Sequence, residues 1–192
     1  VGSFEGDLMK LMGEASGTLA KAAKDAGAQS FVQISAIGAD RNGQSTYAQA
    51  KALGEQLVHD AFPEATILRP SIIFGPDGGI LQMFAGLISS LPVLPVFAPD
   101  APLQVVHVDD VAEAITTALL DPREHGGKTY ELAGPDRWTM MELNRRIAKA
   151  QRRKRTFLPM PDTASAAFAA LPGTPMSSDQ WNMLKAGSTA DG

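Results

Sequence analysis

Segments with helical periodicity alternate with short β-rich runs along this chain, and that alternation restricts its fold more than any other feature. Apolar residues recur at helical spacing over Asp7–Ala26, and the β-rich run Ser30–Ser35 follows. The order repeats, with a helix predicted over Thr46–Phe62 and a strand over Ala65–Arg69. Strands separated by helices predict an α/β fold, with a parallel sheet that carries helices on its faces.

The second half of the chain continues the pattern with shorter elements. A strand is predicted over Leu103–Val108, then a helix that ends near Leu120, then a strand over Lys128–Ala133. Thr139 begins a basic helix. Beyond Arg155 the periodicity is weak, which predicts short helices packed on the body of the protein.

Turn and capping residues predict where the helices begin and end. Gly27 follows the first helix as the residue expected to leave the helical conformation. Thr46 and Gln49 have the spacing of a capping box at the start of the second helix. Asp110 and Glu113 have the same spacing, which favours a capping role over an acid/base role for the Asp109-Asp110 pair.

Composition excludes several classes of function. The net charge of −4 disfavours nucleic-acid binding, because clustered positive charge supplies most of that affinity. The absence of cysteine excludes disulfides, thiolate metal sites and cysteine nucleophiles. His59, His107 and His125 lie far apart without ligand spacing, so no metal site is predicted. The start, Val1–Phe4, has no signal-peptide features, which predicts a cytoplasmic protein.

Two stretches of unusual charge content stand out in the second half. Gly78–Pro99 carries no charge, but Pro92 and Pro95 would break a membrane-spanning helix, so we expect a buried amphipathic helix followed by an extended Pro-rich segment. Arg152–Arg155 is the main basic concentration. Its simplest interpretation is a solvated helix end, and the alternative is a docking patch for an acidic partner or lipid headgroups.

The sharpest chemical feature is the pair Tyr47 and Lys51. Residues four apart share a helix face, so the phenol and the ammonium are expected to point into the same space. A neighbouring cation and the start of a helix both favour phenolate, which predicts a lowered tyrosine pKa and a general acid or base. The alternative is an ordinary surface pair, because this spacing also occurs by chance.

The surroundings of the pair carry a family resemblance. FVQISAIGAD precedes it, and YAQAKALGEQLV, AFPEATILRPSIIFGP, VVHVDDVAEAI and LPGTPMSSDQW follow in order. With these motifs the chain resembles the extended and atypical short-chain dehydrogenase/reductases, the NAD-dependent epimerase/dehydratase group. Within that group it is most similar to the subgroup of the nucleotide-binding accessory subunit of mitochondrial respiratory complex I and its bacterial relatives.

The resemblance implies a Rossmann-type fold and a role for each residue of a cofactor site. Tyr47 would be the catalytic tyrosine, and Lys51 would hydrogen-bond the nicotinamide ribose. The other residues implied at the dinucleotide are Ser35, Ala36, Pro70, Ser71 and Ile72. The cofactor would be NAD or NADP, of which NADP is favoured, and the substrate is an unknown small molecule.

Two departures from the family pattern bear on the choice between an enzyme and a non-catalytic subunit. Ile37 stands where active members place a Ser or Thr, and Met12 where the family often has an asparagine. The first function is an NAD(P)-dependent oxidoreductase, epimerase or dehydratase that uses Tyr47 and Lys51. The alternative, which Ile37 and Met12 favour, is a non-catalytic nucleotide-binding accessory or assembly subunit. The resemblance then implies a respiratory-complex or membrane-peripheral partner at the inner membrane of a bacterium.

The sequence contains no Gly-rich dinucleotide motif after a strand. Because Val1–Ser3 is typical of the end of a strand, we expect the first half of the cofactor domain upstream of Val1, in a longer protein. Residues 1–75 would then form the second half of that domain, to which 103–121 returns. Residues 76–102 and 122–192 would form a smaller substrate-side lobe. Alone, the chain is not expected to hold NAD(P) tightly.

Overall fold

The computed structural model describes residues 8–76, 78–171 and 177–190. A π-helical segment, Met9–Glu14, leads directly into the first α-helix. The α-helices are α1 (Ala15–Asp25), α2 (Thr46–Ala61), α3 (Ile80–Ser90), α4 (Val108–Leu120), α5 (Pro122–His125), α6 (Met140–Ala150), α7 (Asp162–Ala170) and α8 (Ser178–Ala186). The strands are β1 (Val32–Ile34), β2 (Thr66–Pro70), β3 (Ile73–Phe74), β4 (Val93–Val96), β5 (Pro102–Leu103), β6 (Val106–His107), β7 (Thr129–Leu132), β8 (Trp138–Thr139) and β9 (Thr156–Pro159).

The chain divides into two compact units. The first unit holds the described parts of Val1–Ser71, Asp109–Leu132 and Ala190–Gly192. The second unit holds the described parts of Ile72–Val108 and Ala133–Thr189. This division differs from the expected one because β7 pairs with β2 of the first unit, whereas β6 pairs with β3 of the second.

The first unit is built on a three-stranded parallel sheet in the order β1-β2-β7. β2 is nearly all buried, as expected for the central strand of a parallel sheet. The apolar core of this unit contains Ala20, Val58, Phe62, Ala65 and Ile67. The predicted α/β fold with a parallel sheet is confirmed.

Glycines bring the first two helical segments of this unit unusually close together. A Cβ on Gly54 of α2 would collide with the carbonyl oxygen of Met12. A Cβ on Gly13 would lie 2.7 Å from Leu53, and one on Gly17 would lie 2.6 Å from Leu57. Because a side chain at Gly54 would meet backbone and one at Gly17 would meet the Cβ of Leu57, these glycines restrict the register between the π-helical segment, α1 and α2.

The second unit consists of short two-stranded sheets and helices. β3 pairs with β6 and β4 with β9 in parallel, and β5 pairs with β8 in an antiparallel sense. Its main core surrounds Leu103 and Met140. Thr139 caps α6 as predicted, in a full capping box with Glu142.

Several predicted boundaries needed correction. Ser45, not Thr46, is the N-cap of α2, because its hydroxyl accepts the Ala48 N–H at 3.0 Å. α4 begins at Val108, so Asp109 and Asp110 lie in its first turn and do not cap it. The single strand predicted over Leu103–Val108 is divided into β5 and β6.

The uncharged stretch forms a helix followed by an extended segment, as predicted, but the helix is less buried than predicted. α3 was expected to be buried, but only Ile88 among its residues is. Among the described residues no helix combines the length and apolarity needed to cross a membrane. The predictions for Val1–Ser3, for the start of the first helix at Asp7 and for residues 172–176 fall outside the described residues. Gly27 takes φ +77° after α1, as predicted.

Candidate functional site

α2 carries two neighbouring rows of side chains that differ in burial. Ala50, Gly54 and Val58 recur every fourth residue and are buried. Tyr47 and Lys51 belong to the neighbouring row and are only partly buried. Because the buried row fixes the rotation of the helix, the second row is held at the flank of α2.

Lys51 is tied to the end of β1. Its Nζ donates to the carbonyl oxygen of Ile34 at 3.0 Å and lies 5.7 Å from the ring centroid of Tyr47. Burial lowers the pKa of Lys51, and the nearby Glu55 carboxylate partly opposes that change. An ammonium has three N–H donors, so two remain for a ligand.

Tyr47 lies in the first turn of α2, where the sequence places it. Burial raises the pKa of its phenol above the ordinary value of 10.0. The sequence-based expectation of a lowered pKa was therefore wrong for the protein without ligand. Desolvation outweighs the influence of Lys51, whose Nζ is bound to a backbone carbonyl. The Tyr47 hydroxyl has no hydrogen-bond partner among the described residues.

Ser35 follows β1 and is buried. Its N–H donates to the carbonyl oxygen of Leu68 at 2.7 Å, and the N–H of Ile37 donates to that of Pro70 at 3.1 Å. The Ser35 hydroxyl oxygen is buried without a hydrogen-bond partner among the described residues. A buried hydroxyl without a partner is unfavourable, which makes this atom a candidate for ligand contact.

The remaining predicted residues lie at the ends of the same two strands or just beyond them. Ala36 follows Ser35 and is half-buried, and Pro70 ends β2 opposite Leu132. The N–H of Ser71 donates to the carbonyl oxygen of Leu132 at 2.8 Å. Ile72 belongs to the second unit, where its carbonyl oxygen accepts the Val106 N–H at 3.0 Å.

Thus the first unit gathers Ser35, Lys51, Pro70 and Ser71 around the carboxyl ends of β1 and β2, with Tyr47 beside Lys51. That edge is where open α/β sheets bind their ligands. The Ser35 and Tyr47 hydroxyls and two N–H donors of Lys51 are unused by the described residues. These donors and acceptors fit the ribose and nicotinamide end of a dinucleotide.

A partly buried ion pair beside the site could not be recognised from the sequence. Arg69 of β2 binds Glu55 of α2 in a two-pronged contact, with N–O distances of 2.8 and 2.6 Å. The side chains are only 28% and 13% exposed. Glu55 stands four residues after Lys51, which was the available signal, but nothing in the sequence connected it to Arg69. The pair also lines a cleft of about 470 Å³.

The other polar candidates, two of the histidines and the Asp109-Asp110 pair, make local contacts or lie at the surface. His125 Nδ1 lies 3.0 Å from the Tyr130 hydroxyl, and His107 packs edge-on against Phe74. Asp109 and Asp110 are exposed at the start of α4. Within the described part of the chain, no three His, Asp or Glu side chains come together as a metal site.

Comparison with known proteins gives matches over most of the chain. The sequence profile described as "RmlD substrate binding domain" matches residues 7–188. The mitochondrial NADH dehydrogenase (ubiquinone) 1 alpha subcomplex subunit 9 of Arabidopsis thaliana is 36% identical over 79% of this chain and 38% of its own length. A ceramide reductase of Caulobacter vibrioides is 34% identical over 81% of this chain and 51% of its own length.

The chain therefore spans about two fifths of the first relative and half of the second. Among solved structures, a nucleoside-diphosphate-sugar epimerase from Staphylococcus aureus superposes with a TM-score of 0.73 at 18% identity. The match covers 97% of this chain and 64% of that one. This likeness shows that the two chains share a fold.

Proposed function

The chain belongs to the RmlD substrate binding domain family, among the atypical short-chain dehydrogenase/reductases, and from that premise we propose that it forms the nicotinamide end of an NAD(P) site. In this proposal the protein is an oxidoreductase or epimerase that uses Tyr47 and Lys51. The observation that carries the proposal is the cluster of unused hydrogen-bonding groups at the carboxyl ends of β1 and β2.

Lys51 is the binding residue of this proposal. The Ile34 carbonyl accepts one of its three N–H donors, so the other two would be available to the ribose hydroxyls. Its partly desolvated ammonium also gives stronger hydrogen bonds than one in bulk water.

Tyr47 is the proton-transfer residue. Because burial raises its pKa, the phenol carries its proton at neutral pH and can donate it to a substrate oxygen. Ser35 would complete its hydrogen bonding with the ligand. The nicotinamide ring, when bound, supplies the hydride chemistry. The substrate is a small molecule with a carbonyl or hydroxyl group, and we favour NADP over NAD as the cofactor.

Cofactor titration of the full-length protein tests this proposal. NADPH and NADH binding is followed by nicotinamide fluorescence, and turnover is measured with small carbonyl compounds and nucleotide sugars. Lys51→Met should weaken binding by about tenfold or more, because charge-assisted hydrogen bonds are lost. Tyr47→Phe should change the Kd by less than about threefold but lower turnover by about 10²–10⁴-fold.

Tyr130→Phe is the matched control, because Tyr130 is the other tyrosine of the sequence and binds His125. It should leave both quantities unchanged. If Lys51→Met bound NADPH as tightly as the unmodified protein, the proposed site would be rejected.

A second candidate function is a nucleotide-binding accessory subunit of a respiratory complex. Ile37 and Met12 favour it, because neither supplies the polar group that active members place there. The resemblance to subunit 9 of the mitochondrial NADH dehydrogenase also supports it. In that case bound NADPH would stay reduced when candidate substrates are added, and Tyr47→Phe would change neither binding nor oxidation of the cofactor.

A further inference from the structure

The outer face of α3, in the second unit, is apolar although water reaches it. Met83 and Leu87 of α3, and Leu91 in the extended position directly after it, follow at four-residue spacing and are 54%, 42% and 43% exposed. We call these three residues the apolar stripe. The whole segment Gly78–Pro99 contains no charged residue. A helix face exposed to water is normally polar, so an uncharged stripe of this kind indicates a contact surface.

A basic turn lies directly beside the end of this helix. After α6, the Gln151 side chain donates to the carbonyl oxygen of Ala85 at 2.9 Å. Arg155 donates to the carbonyl oxygens of Ile88 and Ser89 at 2.6 and 3.1 Å. These bonds fix the segment between Gln151 and Arg155 against the last turn of α3.

Arg152, Arg153 and Lys154 occupy this segment and are exposed, and we call them the basic turn. Backbone hydrogen bonds hold it: the N–H of Arg152 donates to Lys149 and that of Arg153 to Ala148, at 3.0 and 2.9 Å. Arg155 is occupied with the carbonyl oxygens of α3. The three residues of the basic turn, in contrast, have no acidic partner within the described ranges.

We propose that the apolar stripe and the basic turn form a docking surface for an anionic lipid membrane. The membrane interface offers an apolar layer for the stripe and negative headgroups for the basic turn. Peripheral binding is strengthened when apolar burial and attraction to anionic lipids act together. The net charge of the chain is −4, so the attraction would be local to this surface. The proposal does not depend on the dinucleotide site.

Vesicle flotation of the full-length protein tests this surface. We expect binding to phosphatidylcholine vesicles that contain roughly one third phosphatidylglycerol, little binding to pure phosphatidylcholine, and release at about 0.5 M salt. Arg153→Gln/Lys154→Gln should lower partitioning by about 25-fold, at about fivefold for each charge. Leu87→Ser should lower it by about tenfold through loss of apolar burial.

Matched controls come from the first unit. Leu120→Ser changes a residue that is 80% exposed, and Lys10→Gln/Arg123→Gln removes two exposed cations. Both should bind vesicles as the unmodified protein does. Failure of the unmodified protein to float with anionic vesicles would overturn the proposal. So would equal loss in the controls, or a change of oligomeric state in Leu87→Ser with unchanged vesicle binding, which would identify a second copy as the occupant.

Discussion

The two units use their charged residues in different ways. In the first unit, cations of helices and strands meet acids of the same unit, as in Arg69–Glu55, Lys21–Asp25 and Lys128–Glu124. The second unit also holds an ion pair, Lys185–Asp162, but the cations of its basic turn are clustered and exposed beside an uncharged helix, whereas the exposed cations Lys10 and Arg123 of the first unit lie far apart in the sequence. A charge in an ion pair interacts within its own unit, whereas an exposed charge without an ion-pair partner is available to bind another molecule.

Breaking the Arg69–Glu55 pair should clearly destabilise the protein. Arg69→Met leaves the Glu55 carboxylate mostly buried without its cation, so we expect the free energy of unfolding to fall by about 2 kcal/mol in urea denaturation. Glu55→Gln/Arg69→Met should recover much of the loss. Lys21→Met is the control, because its ion pair is exposed and should contribute less than about 0.5 kcal/mol. Equal losses in Arg69→Met and Lys21→Met would contradict the assigned difference.

Two helical glycines provide a comparison with opposite signs. Gly54→Ala places a Cβ against the Met12 carbonyl oxygen and should destabilise the protein by about 2 kcal/mol. Gly86→Ala lies in α3 with nothing within 4 Å of the added Cβ. It should stabilise the protein by about 0.5–1 kcal/mol through lower entropy of the unfolded chain. Thermal and urea unfolding would measure both changes in stability. If the two substitutions changed stability in the same direction, the close approach of Gly54 to Met12 would be contradicted.

The smallest effect expected is the alkaline titration of Tyr47. Its pKa in the folded state is raised by burial, so its contribution to stability is complete below the ordinary value of 10.0 and is lost as the pH rises through the folded-state pKa. The phenolate absorbance that Tyr47→Phe removes should therefore develop above pH 10. A phenolate signal near neutral pH in the protein without ligand would refute the role of desolvation.

Periodicity predicted the existence and order of most elements. The helical spacing over Thr46–Phe62 gave α2 to within one residue, and the run Ala65–Arg69 gave β2. The N-cap was misplaced by one residue because Ser45 and Thr46 are chemically equivalent as caps, and only the backbone shows which hydroxyl reaches Ala48. The exposure of α3 was not predicted, since an uncharged sequence is equally compatible with a core.

The site residues could be proposed from motifs, but their electrostatics could not. The spacing of Tyr47 and Lys51 correctly placed two groups on one face. It carried no information about burial, which raises the pKa of the tyrosine, or about the Ile34 carbonyl, which holds the lysine. The Arg69–Glu55 pair joins two elements that become neighbours only when α2 packs beside β2, so it depends on tertiary structure.

The close approach of Gly54 to the Met12 carbonyl also limits how this sequence can diverge. Each added residue turns a helix by about 100°, so one insertion between Lys51 and Gly54 would move the ammonium to another side of the helix if the glycine contact were kept. Keeping the lysine in place would instead force a side chain onto Met12. This segment can therefore change by substitution. An insertion or deletion, in contrast, would separate the contact of Gly54 with Met12 from the position of the Lys51 ammonium.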